Sequence, residues 1–528
     1  MKATSTTEAV RPVAAAPPRA AAGARAVLVP VLLGLLALLP RALGLADFLT
    51  TDEAYHWITR TERFAAALAE GRWADTNLTG HPGVTLMWLG ALGLQLERLA
   101  LDLGWAAAPE RLQQLAWLRL GPVLAHALAV PAGYLLLRRL VRPAVALVAA
   151  LLWATSPFLV AHGRLLHLDA LLANFVTLTL LAVLVACRAA RPLPWLLLGG
   201  LLCGLALLTK GPALILLPFL GLALFAHAAA RPGDGNPFLR GLAWSVPRFL
   251  LLLAVAAAVV VALWPALWAA PQAAVARYVG EIVGNGGRPN GDGQFFLGSS
   301  AADPGPLFYP LAILFRLTPL ELLGLILAGV ALLGASGSAL APHPPSPSPA
   351  RGRGGAAQAA GVRAISSPTL LALALFILWW LLVMTAGPKK FDRYILPVWP
   401  ALLTLSAAGL VVGASWLRER RGWPLAATRR AGLTAVLLLQ GLVLAWYHPY
   451  YLSYYSPLLG GGPAAQRTFL IGWGEGMDQV GAALRARPDI GAGQVVSALP
   501  PTLQPFVPVP VREVSTLDAA PANYAVVY

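Results

Sequence analysis

Long apolar stretches separated by short polar turns run through nearly the whole chain. Stretches of about 20 residues, the length a helix needs to cross the hydrocarbon core, fall at 27–46, 113–136, 144–161, 170–187, 194–209, 212–229, 247–267, 306–334, 369–386, 395–416 and 431–447. This pattern predicts about eleven transmembrane helices. One further apolar run, Val84–Leu101, competes for the same reading. Two stretches break the pattern: residues 1–26, rich in Pro, Ala and Arg, and the 335–368 segment with its Pro-His-Pro-Pro-Ser-Pro-Ser-Pro run. Both are predicted to be disordered, the first as a tail and the second as a linker. Beyond Tyr447 an aromatic belt, His448–Tyr455, leads into short alternating runs at Gln494–Leu499 and Ala522–Tyr528. Residues 448–528 are therefore expected to form a small α/β segment.

Composition agrees with that class. The 528 residues are 58% hydrophobic and 12% charged, with mean hydropathy +0.68, values that imply many membrane spans rather than one soluble core. Cys187 and Cys203 sit inside apolar runs and read as small core residues. A net charge of +16 would suit a nucleic-acid partner if it were gathered on one soluble surface. Its distribution argues otherwise. With the N-terminus inside and the spans alternating, the inner segments carry 20 basic residues against 3 acidic, and the remainder carries 19 against 20. That asymmetry is the positive-inside bias, and no nucleic-acid partner is expected. Counting Val84–Leu101 as a span would move Arg138, Arg139 and Arg142 outside, so it is predicted to lie along the outer surface as an interfacial helix within a first outer loop, 47–112.

With sidedness assigned, the outer turns share a chemistry. Asp52 and Glu53 follow the first span, and the same loop holds Thr79-Gly80-His81-Pro82-Gly83. The second turn carries Arg164 and Asp169, the third Lys210, and the fifth Lys389-Lys390-Phe391-Asp392-Arg393-Tyr394. Any one of these has an ordinary explanation as a solvated acid, a turn-closing ion pair or a snorkelling lysine. Ionisable groups at successive turns on one side are costly at a membrane boundary and point to a shared polar cavity. Such a set suits transfer from a phosphate-linked lipid: Lys and Arg bind the phosphodiester, and a carboxylate accepts a proton from the attacking group. A transporter or flippase of envelope precursors is the alternative, although it would place its charges near the midplane and often shows repeats. No metal spacing or nucleotide motif is present, and neither a metal nor a cofactor is expected.

These residues resemble a known family. Asp52-Glu53-Ala54-Tyr55, His81-Pro82-Gly83, Arg164 with Asp169, Leu208-Thr209-Lys210-Gly211 and Lys390-Phe391-Asp392-Arg393-Tyr394-Ile395-Leu396-Pro397 occur in the order found in the protein O-mannosyltransferase and aminoarabinose transferase group, the family 39 and 83 type of membrane glycosyltransferase. The likeness runs through residues 27–447. It implies an all-α polytopic GT-C fold, a polyprenyl-phosphate sugar donor, an inverting displacement on the outer face of the cell membrane, and a lipid, glycan or protein acceptor. It also implies Asp52 as the base, with Glu53 and Asp169 as the other catalytic carboxylates. Arg164, Lys210, Lys390, Arg393 and Tyr394 become donor-phosphate or headgroup contacts, and His81 takes the place of a lysine. The His-Pro-Gly reading at 81–83 departs from the family's His-Pro-Pro or Lys-Pro-Pro.

Overall fold

The computed structural model describes residues 19–291, 293–339, 367–516 and 521–528. Every apolar stretch singled out above is helical. The long elements are α1 (Arg19–Ala42), α4 (Arg111–Leu140), α7 (Leu168–Arg188), α8 (Leu193–Thr209), α9 (Leu216–Ala229), α10 (Pro237–Leu263), α14 (Pro368–Ala386), α15 (Trp399–Arg421) and α16 (Leu425–Tyr447). Two expected spans are bent. α5 (Pro143–Thr155) meets α6 (Pro157–Gly163) at 54°, and α12 (Phe308–Arg316) meets α13 (Pro319–Ala339) at 118°. Each bend falls where a proline opens the second arm, since proline lacks the amide proton that continues a helix but fits a first turn. At the sharper bend Thr318 and Glu321 exchange backbone hydrogen bonds of 2.9 and 3.2 Å, a capping box that starts α13 afresh.

α1 begins at Arg19, within the stretch 1–26 expected to be a tail. Residues 1–18 lie outside the described residues, as does most of the 335–368 linker.

α7 is the axis of the bundle. Its apolar window is 94% buried, against 11% for α10, which faces outward. Both helices are apolar on all sides, which suits a bundle core and a lipid-facing span alike. Small residues let the neighbours of α7 close up: a methyl at Gly409 of α15 would lie 1.9 Å from the Gly324 carbonyl oxygen of α13.

α3 (Val84–Asp102) is long and apolar enough to cross a membrane, and it packs along the first third of α4 and against the ends of α8 and α10. Gly93 packs on the Trp117 carbonyl near the start of α4, Thr85 bonds Thr209 at the end of α8 (2.7 Å), and the Trp88 indole donates to Leu263 O at the end of α10 (2.8 Å). It therefore lies across one end of the bundle, with α2 (Ile58–Ala69) packed against it. The same end carries α11 (Pro271–Gly286), the hairpin of β1 (Gln294–Phe296) and β2 (Ser299–Ala301), α17 (Gly461–Thr468) and α18 (Met477–Arg485). A parallel three-stranded sheet completes it, with β3 (Val495–Ser497) between β4 (Val511–Glu513) and β5 (Tyr524–Val526). Arg138, Arg139, Arg188, Arg231, Arg418 and Arg430 mark the opposite end.

Candidate active site

The chain leaves α1 through Leu43–Leu49 and enters a π-helical turn, Glu53–Trp57. Such widened turns are rare and cluster at functional sites. Here the turn sends neighbouring carboxylates to different fates. Glu53 is fully buried. Arg119 of α4 grips it through two bonds of 2.7 and 2.6 Å, the Thr50 hydroxyl and amide donate at 2.6 and 3.1 Å, and the Leu166 amide donates at 2.7 Å. Burial pushes this carboxyl up, but the Arg119 charge and these bonds outweigh it and hold it below the usual range.

Asp52, by contrast, keeps 24% of its side chain exposed. One oxygen meets His167 Nε2 at 2.9 Å and Arg393 at 3.8 Å, and no partner among the described residues takes the other. Burial raises this carboxyl too, but the His167 bond and the charges of Arg393 and Lys210 hold it well below the carboxylate range.

Around it stand Asp169, Lys210, Arg393 and Tyr394. Asp169 occupies the first turn of α7, where the helix dipole favours an anion, and Lys210 follows the last turn of α8, where it favours a cation. Lys210 Nζ lies 2.6 Å from Asp169 Oδ1 and 4.6 Å over the Tyr394 ring. Arg393 reaches Asp169 Oδ2 at 3.2 Å and so joins both carboxylates. Trp473 covers the group, 4.7 Å edge-on to His167 and 4.7 Å from the Arg393 guanidinium. It is presented by Gly472-Trp473-Gly474-Glu475-Gly476, whose three glycines have φ of 95°, 101° and 90°, a left-handed conformation that other residues resist. The Trp473 carbonyl accepts from the Thr51 amide at 2.9 Å, which ties the C-terminal segment to the residue beside Asp52.

Two anions, Asp52 and Asp169, thus face two cations, Lys210 and Arg393, and their charges cancel. A further anion entering the site needs a further cation. Arg60 of α2 is half-buried, lies 4.9 Å over the Trp57 ring, feels the charge of Asp52 and Glu281, and has no carboxylate within 4 Å among the described residues.

Four residues expected at the centre stand elsewhere. Glu53 is saturated by its five bonds. Arg164 is 1% exposed and donates to the backbone oxygens of Leu43, Gly44 and Pro449, which ties these loops together. Lys390 Nζ is buried against Asp303 (2.5 Å) and the Gly387 carbonyl (2.7 Å). His81 borders the cluster and pairs with Glu281 at 3.1 Å. Burial and the nearby Lys210 charge lower it to about 4.

The sequence profile of the Dolichyl-phosphate-mannose-protein mannosyltransferase family matches residues 113–264. An undecaprenyl phosphate-alpha-4-amino-4-deoxy-L-arabinose arabinosyl transferase of Pseudomonas aeruginosa (strain UCBPP-PA14) is 33% identical over 183 residues, 31% of this chain and 31% of that protein. The protein of the same name from Pseudomonas paraeruginosa (strain DSM 24068 / PA7) matches over the same extent. The match therefore spans about a third of the length of these relatives. Among solved structures, ArnT from Cupriavidus metallidurans bound to undecaprenyl phosphate superimposes with TM-score 0.51 at 15% identity, covering 94% of this chain and 89% of that one. The chain has the GT-C glycosyltransferase fold. Within that GT-C fold, the family match takes in α4 to α10 and with them Arg119, Asp169 and Lys210. Asp52, Arg393 and Trp473 lie outside it.

Proposed function

We propose that the protein is an inverting glycosyltransferase that moves a sugar from a polyprenyl-phosphate donor to a lipid, glycan or protein acceptor on the outer face of the cell membrane, with residues 27–447 as the transferase domain. The observation that carries this reading is Asp52: a carboxylate at a helix-bundle end, with one open oxygen, beside cations able to hold a phosphate. The relatives' transferase name and the undecaprenyl phosphate in the Cupriavidus structure favour a polyprenyl-phosphate donor. The arginine-rich opposite end favours an outward-facing site. Charges gathered at helix ends, not at a break near the midplane, favour transfer over transport.

In this mechanism the acceptor O–H or N–H gives its proton to Asp52 as its oxygen or nitrogen attacks the anomeric carbon. The bond from that carbon to the phosphate oxygen breaks, and the polyprenyl phosphate leaves with both electrons. Lys210 and Arg393 stabilise the charge that develops on it. Drawing these two cations toward the phosphate also loosens their hold on Asp52, which regains basicity when a donor is present. A cavity of about 550 Å³ beside the loop that carries Trp473, bordered by Tyr455, Phe469, Gly472, Glu475 and Tyr528, offers room for the acceptor.

The test is purified protein incubated with radiolabelled polyprenyl-phosphate sugars and membrane acceptors. Wild type should release polyprenyl phosphate. Asp52→Asn should bind donor near wild-type affinity and lose about a hundredfold or more in turnover. Turnover within about threefold of wild type, a barrier change under about 1 kcal/mol, would sink the assignment of the base.

A further inference from the structure

At the arginine-rich end, remote from Asp52, a groove of about 560 Å³ opens between α4, α7 and α8. Aliphatic side chains from all three helices wall it, Leu135, Leu178 and Leu198 among them. Arg138, Arg139 and Trp195 close its polar end. Both guanidinium groups are exposed and lie against aromatic rings, Arg139 4.6 Å over Trp195 and Arg138 5.4 Å over Tyr134. Neither has a carboxylate within 4 Å among the described residues, where the acids at this end are Asp234 and Glu419, the latter paired with Arg418 at 3.3 Å.

An aliphatic slot between spans, rimmed by two arginines with no carboxylate partner among the described residues, is complementary to a molecule with a hydrocarbon chain and a phosphate. Guanidinium groups match phosphate oxygens two at a time, and a tryptophan at this level suits the headgroup boundary. We propose that this groove is a binding site for an anionic diacyl phospholipid, with an acyl chain between α4 and α8 and the phosphate held by Arg138 and Arg139. The helices it joins matter. α4 carries Arg119, α7 opens with Asp169, and α8 runs into Lys210, so a lipid seated here braces the three elements that position the charge cluster at their other ends.

The test uses the full chain purified in detergent, mixed with equal amounts of phosphatidylglycerol and phosphatidylcholine, and examined by native mass spectrometry. Wild type should retain one phosphatidylglycerol in preference to phosphatidylcholine. Arg138→Gln/Arg139→Gln should lower that retention about tenfold or more, whereas Arg429→Gln/Arg430→Gln, an equal charge loss on α16 at the same end, should leave it unchanged. Leu198→Trp fills the slot without touching charge and should lower retention of both lipids, which keeps the idea testable if the arginine pair folds poorly. In nanodiscs, phosphatidylglycerol should raise the unfolding temperature of wild type and not of the groove variants. Equal loss in the two arginine pairs would reduce the effect to general surface charge. Equal retention of the two lipids, or none of either, would overturn the proposal.

Discussion

Arg119 holds both carboxylate oxygens of Glu53 across 66 residues of chain, at 2.7 and 2.6 Å, with neither side chain exposed. Loop and span are thereby locked into one unit, and Asp52 inherits its position from its neighbour.

Breaking that pair leaves a buried charge without its partner. Glu53→Gln should cost about 3 to 5 kcal/mol of stability at neutral pH, while Glu53→Gln/Arg119→Met should recover much of it. The pH dependence has a definite sign. The Glu53 carboxyl is held below its ordinary 4.5, so its stabilisation is complete above that pH and is lost as pH falls below it. Thermal unfolding followed from pH 7 to pH 4 should show the gap between wild type and Glu53→Gln narrowing on acidification; a gap that widens would contradict the assignment.

Lysines at similar turns should behave differently. Lys210→Ala and Arg393→Ala each remove a charge-assisted contact worth about 1.5 to 3 kcal/mol and should weaken donor use roughly tenfold to a hundredfold. Arg393→Lys should not restore a site built on a planar fork. Lys390→Ala should instead lower the unfolding temperature and leave the donor KM within about threefold, because its ammonium is committed to Asp303 and Gly387. Donor titrations on the three alanine variants check this.

Arg60 is the cation left over once Asp52, Asp169, Lys210 and Arg393 have cancelled. Arg60→Gln should raise the donor KM about tenfold with a smaller change in kcat, and should flatten the dependence of donor affinity on ionic strength. A variant with wild-type donor affinity at low salt would remove Arg60 from the phosphate site.

Much of this architecture was legible as pattern. Apolar length found a helix at each of the eleven stretches, although among the described residues eight helices, or up to ten with each bent pair taken as one, are long and apolar enough to cross a membrane, Val84–Asp102 among the eight. The shared polarity of the turns brought Asp52, Asp169, Lys210, Arg393 and Tyr394 together before any coordinates did. What pattern lacks is depth. Arg164, Lys390 and Glu53 carry the same kinds of charge at the same kinds of turn, and only the fold shows the partners that hold them, Pro449, Asp303 and Arg119 among them. Arg119 itself gave a usable signal: a lone arginine inside an apolar span requires a partner. Trp473 gave less, since a tryptophan among glycines near the C-terminus reads as an ordinary turn until the chain folds back over His167.

Arg393, shared between Asp52 and Asp169, links the two halves of the proposed reaction. In that mechanism a bound donor phosphate competes for the arginine, so Asp52 is a stronger base beside donor than in the empty site, whichever substrate binds first. Water entering the empty site then meets a weaker base than an acceptor meets beside bound donor.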